Sequence, residues 1–199
     1  MTELLTPTRE RLLKAAREVI EEGGYGAASV IAIAERAGVA AGTMYRHFGS
    51  KEELFVEVFR AVCDREVRAM RAAAAGMDDG ATEVDRLETV LATFAKRALR
   101  NPRLAWALLA EPVDPLVDAE RLTYRERYAE LIAQGLERAI ASGELPEQNV
   151  GLTAAALVGG CGEALVGPLS PLAGNRPAAT DVVQALRTFV RRAIGASQS

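Results

Sequence analysis

Several residue types that chemistry often depends on are scarce in this chain. Histidine occurs once, at His47, so no second histidine is left to pair with a serine or cysteine nucleophile. Cys63 and Cys161 stand far apart and form no zinc-type pair, which leaves free, mostly buried thiols in a reducing cytoplasm as the simple expectation. No HExxH, phosphate-binding P-loop or GxGxxG is present. No alternation of apolar and polar residues marks a strand, and no repeat or low-complexity tract appears beyond Ala72–Ala75. No run of eighteen apolar residues predicts a membrane span, and the start, Met1 to Pro7, lacks the basic region and apolar core of a signal peptide. The 199 residues therefore read as a cytoplasmic, non-enzymatic globular protein, long enough for a small head and a larger body, with no cofactor, no metal and no membrane partner.

Strong charge is also missing. The net charge is −3, which excludes a generally basic nucleic-acid coat. The first 51 residues carry seven Lys/Arg and six Asp/Glu, so they are only marginally positive. Any affinity for DNA must rest on a few placed donors and helix N-termini.

What is present is helical periodicity throughout. Leu12, Leu13, Ala16, Val19 and Ile20 predict a first helix, capped by Thr6 or Thr8 and ended by Gly23-Gly24. Ser29 caps a second, with Val30, Ile33, Ala34 and Ala37 inside and Gly38 at its end. A third runs from Gly42 to Phe48. Ser50-Lys51-Glu52-Glu53 reads as a reciprocal capping box opening a long fourth helix to about Ala75. A fifth starts at Thr82 with Asp85 and buries Val84, Leu87, Leu91, Phe94 and Ala98; Asn101-Pro102 opens a sixth, which Pro112 and Pro115 break. Later helices are expected over about 117–142, 151–167 and 180–194, with a Pro/Gly loop from Pro168 to Pro177 and a frayed tail at Ser197–Ser199. The fold class is all-α, with about nine helices.

The stretch Ile33-Ala34, Ala37-Gly38-Val39, Gly42-Thr43-Met44-Tyr45, His47-Phe48 and Ser50 to Leu54 is a helix, a glycine turn, a helix and a capped third helix. This layout places its second helix in the DNA major groove. In this extended form, from about Arg11 to Phe59, it resembles the N-terminal domain of TetR/AcrR-type transcriptional regulators. The resemblance implies a DNA-binding domain over 1–50 and a ligand-binding and dimerisation domain over 51–199.

Ala41, Gly42 and Thr43 open the recognition helix, where small side chains let the backbone approach the groove floor and Thr43 can meet a base edge. By resemblance Tyr45 and His47 contact phosphates. Lys51 and Ser29, at helix starts, suit phosphates too, and Arg46 suits a guanine edge or a phosphate. Met44 and Phe48 read as core. Ile31 stands where the family usually has a polar or basic residue. Ala40 replaces a Ser-like cap, leaving a first-turn N–H without a side-chain partner at a cost of ~1 kcal/mol.

For the body, the resemblance implies a small effector and a dimer through the last two helices. Gly159, Gly160 and Gly162 in one helix call for close approach or a pocket wall. Ala155, Gly159, Val182, Leu186, Phe189 and Val190 are the expected dimer residues. Phe94, Trp106, Leu109, Tyr124, Tyr128, Cys161 and Glu163 are the expected lining of a site for a small, largely apolar effector. Glu163, an acid in an apolar stretch, is expected to find Arg121, Arg125 or a cationic ligand group. The segment from Glu111 to Tyr128 is the part expected to vary with ligand class. The expected function is a homodimeric repressor on a palindromic operator of double-stranded DNA, released by its effector. A regulator without an effector, and a helical interaction module, are the alternatives.

Overall fold

The computed structural model describes residues 7–196; Thr6, the N-terminal stretch before it and the Ser197–Ser199 tail lie outside the described residues. Among the described residues the chain is helical, with no strand. The elements are α1 (Pro7–Gly23), α2 (Val30–Ala37), α3 (Ala41–His47), α4 (Lys51–Ala75), α5 (Glu83–Arg100), α6 (Pro102–Leu109), α7 (Pro115–Ala141), α8 (Val150–Leu169) and α9 (Ala179–Ala193).

Side-chain caps set most of the starts. Ser29 accepts from Ala32 N–H, Ser50 from Glu53 N–H, Thr82 from Asp85 N–H and Asn101 from Leu104 N–H. Thr82 and Asp85 form the full reciprocal box. Ser50 and Glu53 do not: the Glu53 carboxylate reaches one residue further back and accepts from Gly49 N–H at 2.9 Å. Thr8 lies inside α1 rather than capping it. Gly38 ends α2 at φ +64, a left-handed conformation that a side chain disfavours.

Prolines act differently from expectation at two places. Pro115 is the first residue of α7, capped by Asp114, rather than a breaker. Its missing N–H is one that a helix start leaves unbonded anyway. Pro168 lies inside α8, which runs on to Leu169 instead of yielding to a loop. Only its last turn loses a bond there, so the helix survives.

Two apolar clusters organise the packing. The first joins Leu12, Ile20, Ile33, Met44 and Phe48 of the head to Leu54, Phe55, Val58 and Phe59 of α4, and continues to Leu104, Val117 and Tyr124. The head's core therefore extends past residue 50 into α4. The second holds Leu87, Leu91, Ile132, Leu136, Leu157, Leu165, Leu186 and Val190. A buried carboxylate stitches α5 to α9 there: Glu88 pairs with Arg187 and Arg191, and Arg191 also meets Asp85. Four further ion pairs hold α4 to its neighbours, Arg9–Glu57 to α1, Arg60–Glu120 and Asp64–Arg127 to α7, and Glu66–Arg97 to α5.

α8 is the helix among the described residues that is long and apolar enough, by length and composition alone, to cross a membrane, although no eighteen apolar residues run consecutively. Ala154, Leu157, Cys161, Leu165 and Leu169 along one side pack into the second cluster. Only 22% of its apolar stretch is buried in the single chain.

Candidate functional site

The head presents α3 on a firm base. Met44 is fully buried and Phe48 nearly so, which fixes the helix, while Ala41, Gly42, Tyr45 and Arg46 are exposed and Thr43 and His47 half-buried. Arg11 of α1 braces the turn before α3, donating to the carbonyls of Ala37 at 3.0 Å (Nε) and Gly38 at 3.0 Å (Nη2). That brace was not read from the sequence, because an exposed arginine in a helix gives no sign of its reach. Ala40 caps α3 without a side-chain hydrogen bond, as expected.

Three head residues expected at DNA are already engaged with neighbours. Arg46 Nη2 donates to Thr43 Oγ1 at 3.0 Å, so the two candidate base readers are bonded to each other. The Lys51 ammonium lies 5.2 Å from the Tyr25 ring centroid and 5.4 Å from that of Phe55, a cation–π seat that aims it from the start of α4. Ser29 is exposed at the start of α2, and Ile31 beside it is 63% exposed. Arg36 is bonded to Glu22, whose carboxyl it holds below the ordinary value.

The body encloses a cavity of about 770 Å³ between α4, α5, α6, α7 and α8. Phe59, Val62, Leu91, Phe94, Leu109 and Ile132 form apolar walls. Of the residues expected to line it, Phe94, Leu109, Tyr124, Tyr128, Cys161 and Glu163 do so. Trp106 does not; it packs against the second cluster. On α6 the cavity takes Leu104, Ala105, Leu108 and Leu109, and Trp106 falls past the Leu109 edge of that face.

Burial keeps the cavity's thiols and phenols neutral. It pushes the Cys63 thiol up to about 12, opposed by the Tyr128 hydroxyl, and the Cys161 thiol up to about 11. Burial also raises both phenols well above their ordinary value, and a hydrogen bond to Asp64 adds to it at Tyr124. Tyr124 donates to Asp64 Oδ1 at 2.7 Å, tying a cavity wall to α4.

Glu163 corrects the sequence reading. It is exposed at the cavity rim and takes no partner from Arg121 or Arg125. Arg121 spends its donors on the carbonyls of Leu108 (2.8 Å), Ala107 (2.9 Å) and Glu111 (2.6 Å). Arg65, Arg100 and Arg125, also on the lining, make neither ion pair nor hydrogen bond among the described residues.

The expected dimer residues divide. Leu186 and Val190 are buried in the chain's own core and have no surface to offer a partner. Val182 is half-buried, and Ala155 and Gly159 are exposed beside the cavity. Phe189 is 43% exposed, with its ring over Gly160, where an added Cβ would lie 3.1 Å from it. The outward faces are instead Leu152, Ala156 and Gly159 on α8 with Ala185, Phe189 and Ala193 on α9. Of the α8 glycines, Gly160 serves close approach and Gly159 and Gly162 the cavity wall.

Residues 12–58 match the bacterial regulatory proteins of the tetR family. The HTH-type transcriptional repressor KstR of Mycobacterium tuberculosis is 31% identical over 192 residues, 96% of this chain and 82% of the relative. The HTH-type transcriptional regulator UidR of Escherichia coli is 30% identical over 154 residues, 76% of each chain. Among solved structures, the transcriptional regulator FadR of Bacillus subtilis, in complex with stearoyl-CoA, superposes with a TM-score of 0.76 at 22% identity, over 95% of this chain and 99% of that one. With a matching head, relatives similar along most of its length and the same helical fold, this chain belongs to the TetR family of bacterial regulatory proteins, DNA-binding regulators of transcription rather than enzymes.

Proposed function

We propose that this chain is a homodimeric, effector-responsive repressor. Residues 1–50 act as its DNA-binding domain, and residues 51–199 bind the effector and form the dimer. The observation that carries the reading is a largely apolar cavity of about 770 Å³ whose walls include α4, the helix that also completes the head's core. Its size is that of sites enclosing small organic ligands. A change at the cavity then shifts the heads as a unit.

The dimer is supported by the uncovered apolar faces of α8 and α9, since apolar area left in water is area a partner can remove. A two-fold dimer presents two recognition helices about 34 Å apart, matching successive major grooves of a palindromic operator. Ala41, Gly42, Thr43 and Arg46 face base edges; Ser29, Tyr45, His47 and Lys51 hold phosphates. Such a regulator works in the bacterial cytoplasm.

The effector is an amphiphile with an apolar body and an anionic end. Apolar walls suit the body, and the unpaired Arg65, Arg100 and Arg125 suit the end. The ligand of the Bacillus subtilis FadR structure, stearoyl-CoA, has this character. The test is a reciprocal titration. Stearoyl-CoA must weaken binding to the protein's own promoter, and promoter DNA must weaken stearoyl-CoA binding by the same factor. Tight ligand binding with unchanged DNA affinity sinks the effector reading.

A further inference from the structure

We infer that Glu111, in the turn between α6 and α7, is a positioning residue of the DNA-binding head, and that the cavity wall sets its position through Arg121. This rests on the reading of the cavity as the effector site. The Glu111 carboxylate accepts from the backbone N–H groups of Tyr25 (2.9 Å, Oε2) and Gly26 (3.2 Å, Oε1), in the turn between α1 and α2. Among the described residues no other hydrogen bond takes up either N–H. Gly24 allows the approach: at φ +82, a Cβ there would lie 2.9 Å from Glu111 Oε2. A residue of the body thus grips the head's backbone with both oxygens.

Glu111 is itself held from the cavity side. Arg121, on the cavity lining, donates to the Glu111 carbonyl at 2.6 Å and to the carbonyls of Ala107 and Leu108 at 2.9 and 2.8 Å. It also meets Asp118 at 3.3 Å. The Ala107 and Leu108 carbonyls are in the last turn of α6, where the helix leaves acceptors without partners of its own, and Glu111 follows just beyond, so the guanidinium ties this stretch to α7. The gripped turn in the head is the one that carries Tyr25. Its ring lies 4.5 Å from that of Phe55 and 5.2 Å from the Lys51 ammonium. A shift of the turn therefore moves the seat of a proposed phosphate contact. An anionic occupant that draws Arg121 inward strips the α6 carbonyls and frees Glu111.

Amide hydrogen exchange on the full chain, free of ligand and DNA, tests the tie. Wild type, Glu111→Ala, Arg121→Met and Arg97→Met are compared. Arg97 lines the same cavity but is bonded to Glu66 on α4, so it controls for general loosening of the wall. The Tyr25 and Gly26 amides should exchange at least about tenfold faster in Glu111→Ala and in Arg121→Met, and at the wild-type rate in Arg97→Met. Glu111→Gln, with one acceptor left, should fall between. Wild-type exchange in Arg121→Met, or equal acceleration in Arg97→Met, overturns the inference. Should Arg121→Met fail to fold, Arg121→Lys, which loses the fork of donors, is read in the same way. Binding to a random duplex in dilute salt is measured in parallel. Loss of that binding in wild type would sink the regulator reading, while the exchange result still decides the tie.

Discussion

At the residue scale, DNA recognition is divided between charge and shape. Lys51→Ala should weaken every duplex to a similar degree and flatten the salt dependence by about one unit of slope, read from a salt series on unrelated sequences. Thr43→Ala removes the acceptor that holds Arg46, so preference among operators should change more than overall affinity. Arg46→Ala separates its two roles in the same competition assay: a uniform loss on all sequences marks a phosphate anchor, a selective one a base contact. Met44→Ala empties a fully buried site at the centre of the head and should cost about 2–5 kcal/mol, seen as an earlier melting transition with loss of DNA binding. The caps at Ser29, Ser50, Thr82 and Asn101 were legible because each depends on residues a few positions apart. Glu163 was not legible, since whether an acid on α8 meets an arginine depends on how α7 lies against it. Arg121 was captured by α6 carbonyls instead.

At the element scale, α8 and α9 leave apolar residues uncovered in the single chain. Their inward faces fill the second core, and their outward faces show Leu152 and Phe189 to solvent. Leu152→Glu combined with Phe189→Asp should yield single chains by sedimentation, and should weaken operator binding steeply because one head alone spans one half-site. If the double variant stays dimeric, the interface lies elsewhere. Periodicity identified these helices correctly but chose Leu186 and Val190 for the partner. An amphipathic pattern says which residues are to be covered, not whether the cover is the same chain or another. Trp106 went astray for a related reason. In a helix as short as α6, which side faces the cavity is decided by where α1, α5 and α8 lie.

At the scale of the whole molecule, stability should fall with acid in a definite way. Hydrogen bonds from Tyr124 and Arg127 outweigh burial and hold the Asp64 carboxyl below its ordinary value. Hydrogen bonds with Thr82 and Arg191 do so at Asp85, and backbone N–H groups of Val84 and Glu83 outweigh burial at Glu144. A carboxyl depressed in the folded state contributes stability above its unfolded value, about 4, and loses that contribution as the pH drops through the folded value. Thermal melts should therefore be flat near neutrality and fall below about pH 4, with Asp64→Asn flattening part of the fall. The sequence by itself determined the helices, the caps at Ser29, Ser50, Thr82 and Asn101, the recognition turn and hence the family, because all of these rest on residues within one or two turns of each other. Only the tertiary structure decided which arginines stay unpaired around the cavity, which apolar faces remain uncovered, and that Glu111 grips a turn 85 residues away. Those outcomes depend on distances between elements, and no local pattern of residues encodes a distance across the fold.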